Sequence, residues 1–231
     1  TFLDHGDIVI GCAFSSADNA PHAMKLQAQF PEQFFYYSVD ITKTDAIANF
    51  IREVETRFGR LDVLVSNAGK NVFKGIDCEP EDWHHNLDLN LRSHWYIAKC
   101  CRALLEKSKG VILIMTSNHA FSTMPGCAPY NITKRALLSL VQSLTIEWGP
   151  AIRTVGIAPG FIDTAGNQLW FDAHEDGEAS REETIRKHPV GRIGTSEEVG
   201  ELCLYLASQA AGFIAGTTIV MDGGRSALMQ D

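Results

Sequence analysis

The sequence has no apolar run of about 18 residues, the length that spans a bilayer. Its opening, "TFLDHGDIVIG", has neither the basic start nor the long apolar stretch of a signal peptide. Positive charge is scarce: 20 Lys and Arg against 28 Asp and Glu leave a formal charge of −8. That balance argues against nucleic acid or an anionic membrane as partner. None of the six cysteines, Cys12, Cys78, Cys100, Cys101, Cys127 and Cys203, forms a C-x-x-C pair, and no His/Cys group has zinc spacing. They read as free thiols in a reducing cytoplasm, with Cys12 and Cys203 in apolar runs. No internal repeat and no low-complexity segment interrupts the chain. What is present is ordinary for a soluble globular protein: 231 residues, 45% hydrophobic and 21% charged, enough for one large domain with a substantial core.

Short apolar runs recur at long intervals, at 8–12, 34–39, 61–67, 110–117, 154–160 and 217–222. They are continuous rather than alternating, which suits parallel strands covered on both faces. Helical patterns lie between them. Residues 42–59 carry Thr42 and Asp45 as a capping box, an apolar stripe of Ile47, Phe50, Ile51, Val54 and Phe58, and Gly59 as the stop. Thr195 and Glu198 repeat the box before Val199, Leu202 and Leu206, and Gly149 with Pro150 ends a long helix from Tyr130. The alternation predicts an α/β fold, a Rossmann-like doubly wound parallel sheet in three layers. Residues 164–190 read as a polar, acidic loop, of the kind that forms a lid over a ligand. Ligands in such sheets bind outside the carboxyl ends of the strands, where Asp40, "SNAG" (66–69), "TSN" (116–118) and "PGFIDT" (159–164) fall. Gly69 and Gly160 would let a backbone approach a ligand closely.

"SNHAFSTMPGCAPYNITKRALLSL", residues 117–140, carries Tyr130 and Lys134 one helical turn apart on one face, with Ser117 thirteen residues before the tyrosine. A lysine ammonium beside a phenol favours the phenolate and lowers a pKa that starts near 10. A tyrosine so tuned is a proton donor and acceptor near neutral pH. An amphipathic surface helix would explain the pair equally well, since composition alone predicts about 0.2 such pairs by chance; the surroundings decide.

Those surroundings resemble the main single-domain branch of the short-chain dehydrogenase/reductase family. The resemblance is carried by Asp40, "NAG" at 67–69, Asn90 in "LDLNL", Ser117, "YNITK" at 130–134, "PG" at 159–160, "GRIGTSEEVG" at 191–200 and "GTTIVMDGG" at 216–224. It covers essentially the whole chain, residues 1–231, as a single NAD(P)-binding domain with a substrate lid near 164–190. It implies an oxidoreductase that moves a hydride between NAD(P) and a small alcohol or carbonyl compound. Tyr130 would be the general acid/base, Lys134 would lower its pKa and hold the nicotinamide ribose, and Ser117 would polarise the reacting oxygen. Asn90 would hold a water linking Lys134 to solvent, and no metal is needed. Asn67, Ala68 and Gly69 would lie along the cofactor, Asp40 and Ile41 at the adenine, with Pro159, Gly160, Ile162 and Thr164 on the nicotinamide side. A homo-oligomer, dimer or tetramer, would form through helices equivalent to 83–107 and 130–148.

The sequence departs from the family at its beginning. The family's glycine-rich pyrophosphate loop is absent, and "TFLDHGDIVIGC" reads as the end of a first helix running into the second strand. A strand, a turn and most of a helix, roughly 20–30 residues by mean element lengths, are missing from the middle of the expected sheet. The expectation is that the natural protein has these residues; the alternative is a chain that has lost cofactor binding. At the end of the strand at 8–12, positions 11–16 (Gly11, Cys12, Ala13, Phe14, Ser15 and Ser16) offer neither acid nor base, which tilts the cofactor slightly from NAD toward NADP. Around the expected pocket stand His119, Phe121, Met124, Trp170, Phe171 and His174, which suit a polyol, sugar or hydroxy-carbonyl substrate; a 3-oxoacyl carrier protein fits too. His84 and His85 read as structural. Two other functions stand beside the dehydrogenase: a lyase like the halohydrin dehalogenases, which carry arginine where this chain has Lys134, and a non-catalytic binding protein on the same scaffold.

Overall fold

The computed structural model describes residues 1–228. Each apolar run folds as a strand: β1 (Val9–Ala13), β2 (Phe34–Ser38), β3 (Val63–Ser66), β4 (Val111–Met115), β5 (Arg153–Pro159) and β8 (Thr218–Met221). Two short strands, β6 (Ile162–Asp163) and β7 (Gly194–Thr195), pair with each other. The helices are α1 (Pro21–Gln29), α2 (Thr44–Phe58), α3 (Pro80–Leu87), α4 (Ser93–Ser108), α5 (Tyr130–Trp148), α6 (Ala165–Asp172), α7 (Gly177–Arg186) and α8 (Ser196–Ala207).

Every strand pairing is parallel. Strands β3, β4, β5 and β8 form one sheet in that order, and β1 pairs only with β2. Among the described residues a break therefore separates the β1–β2 pair from the main sheet that begins at β3. One helical layer nonetheless spans the break: Ile47, Phe50, Ile51 and Val54 of α2 join Leu104 of α4 and Leu137 and Val141 of α5 in one buried cluster, with Ile10 and Cys12 of β1 packed against it. On the opposite face, Cys203 and Leu206 of α8 cover Leu113, Val155 and Ile157. Layers on both faces explain why β4 is apolar at all five positions and buried at each. Among the described residues no helix is long and apolar enough to cross a membrane.

Local signals were mostly obeyed. Thr195 and Glu198 form the expected reciprocal capping box, and Gly59 ends α2 in the left-handed region at φ 72°. The box expected at Thr42 and Asp45 does not form. Thr42 instead turns its hydroxyl to Asp40 Oδ1 at 2.7 Å, and Lys43 occupies the cap position without a side-chain bond. The stretch 164–190 is not a loop but two short helices, α6 and α7, capped by Thr164 on the Asn167 N–H and by Asp176 on the Ala179 N–H. Periodicity hid them because α6 bunches Leu169, Trp170 and Phe171 instead of spacing them. His84 and His85 lie in the last turn of α3.

Candidate active site

The site forms at the carboxyl ends of β3, β4 and β5, where α5 begins. Tyr130 is the first residue of α5 and is 8% exposed; Lys134, one turn on, is 3% exposed. Its ammonium donates to the carbonyl of Met115, the last residue of β4, at 2.9 Å and lies 5.6 Å from the centre of the Tyr130 ring. Burial of an ammonium in so apolar a place pulls the Lys134 pKa from 10.5 down to about 8. Ser117, buried two residues beyond β4, accepts from the His119 N–H at 3.2 Å and points its hydroxyl at Asn118 Oδ1, 3.4 Å away.

Burial raises the Tyr130 pKa above 10; the Ser117 hydroxyl draws it down, Cys127 draws it up, and Lys134 is not among the groups that set it. The ammonium donates to Met115 O rather than to the phenol, and burial of Tyr130 dominates. Phe73 packs edge-on against Tyr130 with ring centres 5.2 Å apart, and His119 does the same at 6.0 Å. Burial and the positive charge of Arg225 hold His119 neutral by lowering its pKa.

Asn90 is fully buried in a π-helical turn, Asp88–Arg92, that links α3 to α4. Its amide grips the backbone of Lys70 from both ends: Oδ1 accepts from Lys70 N at 3.0 Å and Nδ2 donates to Lys70 O at 2.9 Å. Its second amide hydrogen goes to Asn86 Oδ1 at 2.7 Å. With both amide hydrogens in use, the side chain holds the turn that follows Gly69. Gly69 must be bare for this reason, since a Cβ there would stand 2.7 Å from Asn90 Oδ1. The same holds at Gly160, whose Cβ would lie 2.6 Å from Cβ of Asp222 beyond β8. Both glycines thus serve close packing within the protein.

The remaining positions singled out in the sequence fall around this centre. Asn67 is exposed and Ala68 half-buried just beyond β3, and Pro159 pairs with Met221 across β5 and β8. Ile162 gives its carbonyl to Asn167 Nδ2 at 2.7 Å, and Thr164 gives its hydroxyl oxygen to the Asn167 N–H. Asp40 and Ile41 follow β2, on the far side of the sheet break. Asp40 is held ionised by the Thr42 hydroxyl and N–H, so one carboxylate oxygen is already in use. Asp163 is likewise committed, to Arg181 of α7 at 2.8 Å.

Three participants escaped the sequence reading. Asn86 is fully buried and donates to the carbonyl of Pro129, the residue before Tyr130, at 3.0 Å. His94, 1% exposed, shares a hydrogen with Ser66 Oγ at 2.7 Å, and burial pushes its pKa down to about 3 with Lys134 adding repulsion. Phe73 forms a backbone bridge with Pro129 and walls the tyrosine. A signal existed for two of them: Asn86, Asn90 and His94 recur every fourth residue, a polar row on an otherwise inward-facing stripe.

The residues suit the nicotinamide end of a dinucleotide. Two of the three Lys134 donor hydrogens remain after the bond to Met115, Asn67 has no partner among the described residues, and the aromatic wall keeps one side dry. No His/Cys/Asp/Glu group among the described residues could hold a metal.

The chain is similar to known proteins over most of its length. Residues 1–226 match the family described as Enoyl-(Acyl carrier protein) reductase. Over 171 residues the chain is 39% identical to Dehydrogenase/reductase SDR family member 4 of Homo sapiens; the match takes in 72% of this chain and spans 60% of that protein's length. Among solved structures, a 7 alpha-hydroxysteroid dehydrogenase complexed with NADH and 7-oxo glycochenodeoxycholic acid superposes with a TM-score of 0.84 at 27% identity, over 94% of this chain and 84% of that one. A gluconate 5-dehydrogenase from Burkholderia cenocepacia J2315, in complex with NADP and tartrate, gives a TM-score of 0.84 at 26% identity, over 95% and 86%.

Proposed function

This chain belongs to the short-chain dehydrogenase/reductase family, and on that premise we propose that it is an NAD(P)-dependent oxidoreductase acting on a small alcohol or carbonyl compound. The observation that carries the reading is the pairing of Tyr130 and Lys134 at the buried start of α5, with Ser117 at the adjoining strand end. A bound reduced nicotinamide would supply the hydride. The protein's own part is to hold the substrate oxygen between the Ser117 and Tyr130 hydroxyls and to move one proton at Tyr130 Oη. A phenol whose pKa is raised by burial keeps that proton at neutral pH and is ready to give it to a carbonyl oxygen. Lys134 would use its remaining hydrogens on the ribose, and Asn90 would keep the turn at 67–70 in place.

NADP is the preferred cofactor on this reading, because the turn after β1 is uncharged at Phe14, Ser15 and Ser16 and exposed. Asn67, Ala68, Gly69, Pro159, Gly160, Ile162 and Thr164 would line the nicotinamide side, and Asp40 and Ile41 the adenine. Substrates would be polyols, sugars or hydroxy-carbonyl compounds, admitted under a lid formed by α6 and α7. Exposed Trp95, Ile132 and Ile146 on α4 and α5 support a homo-oligomer, which sedimentation as a monomer would rule out. The free cysteines support a cytoplasmic setting.

The test is titration of the protein with NADH and NADPH by nicotinamide fluorescence, followed by hydride transfer across a panel of alcohols and carbonyls. Micromolar binding, tighter for NADPH, and turnover of at least one compound are expected. Failure to bind either nucleotide, or binding without any turnover, would overturn the reading.

A further inference from the structure

Asn86, Asn90 and His94 form a row of buried polar side chains along one helical face, and each meets a different part of the site floor. His94 meets Ser66 at the end of β3, Asn90 meets Lys70 in the turn, and Asn86 meets Pro129 at the head of α5. Asn86 has a second role in this row. Its Oδ1 accepts from Asn90 Nδ2 at 2.7 Å, so its amide is the link between the turn and the catalytic helix. The helix needs such a link, because α5 starts without a side-chain cap. The carbonyl of Pro129 takes both the Thr133 N–H at 3.3 Å and Asn86 Nδ2, and the Thr133 hydroxyl closes the first turn on Tyr130 O at 2.7 Å. From the other side, Phe73 bridges to Pro129 and Lys74 N donates to Ala128 O at 2.9 Å. The bonds run from Lys70 to Asn90, Asn90 to Asn86 and Asn86 to Pro129, and the Phe73–Pro129 bridge returns to Lys70 only through the chain at 70–73.

We propose that Asn86 is a positioning residue that couples the turn at 67–70 to the placement of Tyr130. The Asn86 and Asn90 side chains are fully buried, so removal of one leaves the other's amide short of a partner that water does not replace. A displacement of about 1 Å at a reacting group costs about 100-fold in rate. Asn86 makes no hydrogen bond to Lys70 or to the Tyr130 side chain, so its effect on both travels through Asn90 on one side and through Pro129 and Thr133 on the other.

The test compares wild type, Asn86→Ala, Asn90→Ala and the double variant, with Leu206→Ala as a control that loosens the core on the opposite sheet face. The readouts are amide exchange at Lys70 without nucleotide and steady-state kinetics with it. The Lys70 N–H should exchange at least tenfold faster in Asn86→Ala than in wild type, although its own partner Asn90 is intact. The kcat should fall about 10–100-fold with substrate KM within threefold, and the double variant should be little worse than either single one. Leu206→Ala should lower the melting temperature and leave both readouts unchanged. Unchanged Lys70 exchange, kcat within threefold of wild type, or additive losses would overturn the coupling. The kinetic arm rests on the proposed function. Were wild type to turn over nothing, that function would fail, and the exchange at Lys70 would still decide the role of Asn86.

Discussion

The Lys134 ammonium and the Tyr130 ring lie 5.6 Å apart, yet the ammonium gives its hydrogen bond to Met115 O, 2.9 Å away, and not to the phenol. The pair is assembled on one helix face without being joined. Both groups bear the cost of burial, which lowers the lysine's pKa and raises the tyrosine's.

Lys134→Met should therefore stabilise the protein while abolishing turnover. The folded-state pKa of about 8 lies below the unfolded value of 10.5, so the unfolded chain binds this proton first as pH falls. Wild type loses stability relative to the variant between pH 10.5 and 8, and the full deficit persists below that. At pH 7 it amounts to about 1–3 kcal/mol after allowing for the Met115 carbonyl left without its donor. Melting curves of the two proteins from pH 7 to 11 should converge at the alkaline end; a variant less stable at pH 7 would contradict this.

His94 predicts an acid-labile fold. Its folded pKa of about 3 lies below the ordinary 6.5, so stability is whole above 6.5 and drains as pH falls toward 3. The loss is at most about 1.4 kcal/mol per pH unit. His94→Gln should flatten denaturant midpoints over that window relative to wild type; parallel slopes for the two proteins would remove His94 as the cause.

Gly69→Ala places a methyl group 2.7 Å from Asn90 Oδ1. The amide must give way, and with it the grip on Lys70. Overpacking of this kind costs about 1–3 kcal/mol. The melting temperature should fall and NADPH should bind more weakly; unchanged values for both would show that the turn adapts freely.

The main strands and most helices could be read in advance because their signals are local: continuous apolar runs, the Thr195–Glu198 box, Gly59 and Gly149. Tyr130 and Lys134 were legible from spacing and Ser117 and Asn90 from the family resemblance, and the structure brings the first three to one corner with Asn90 beneath. Asn86 and His94 were missed because a single polar residue on a helix reads as solvated; their one signal is the four-residue recurrence with Asn90. Helices α6 and α7 were hidden by acidic composition and by bunched aromatics. Helical spacing gives the proximity of Tyr130 to Lys134 but not the Met115 carbonyl, from a distant strand, that takes one of the ammonium's hydrogens.

The most direct measurement is the rate of reduced-nicotinamide consumption by wild type and Tyr130→Phe against one carbonyl substrate, with NADPH binding measured in parallel. Loss of the phenolic proton alone should lower kcat by about 10²–10⁴-fold with NADPH affinity unchanged. A phenylalanine variant within tenfold of wild type would show that the proton comes from elsewhere and that Tyr130 is not the acid of this site.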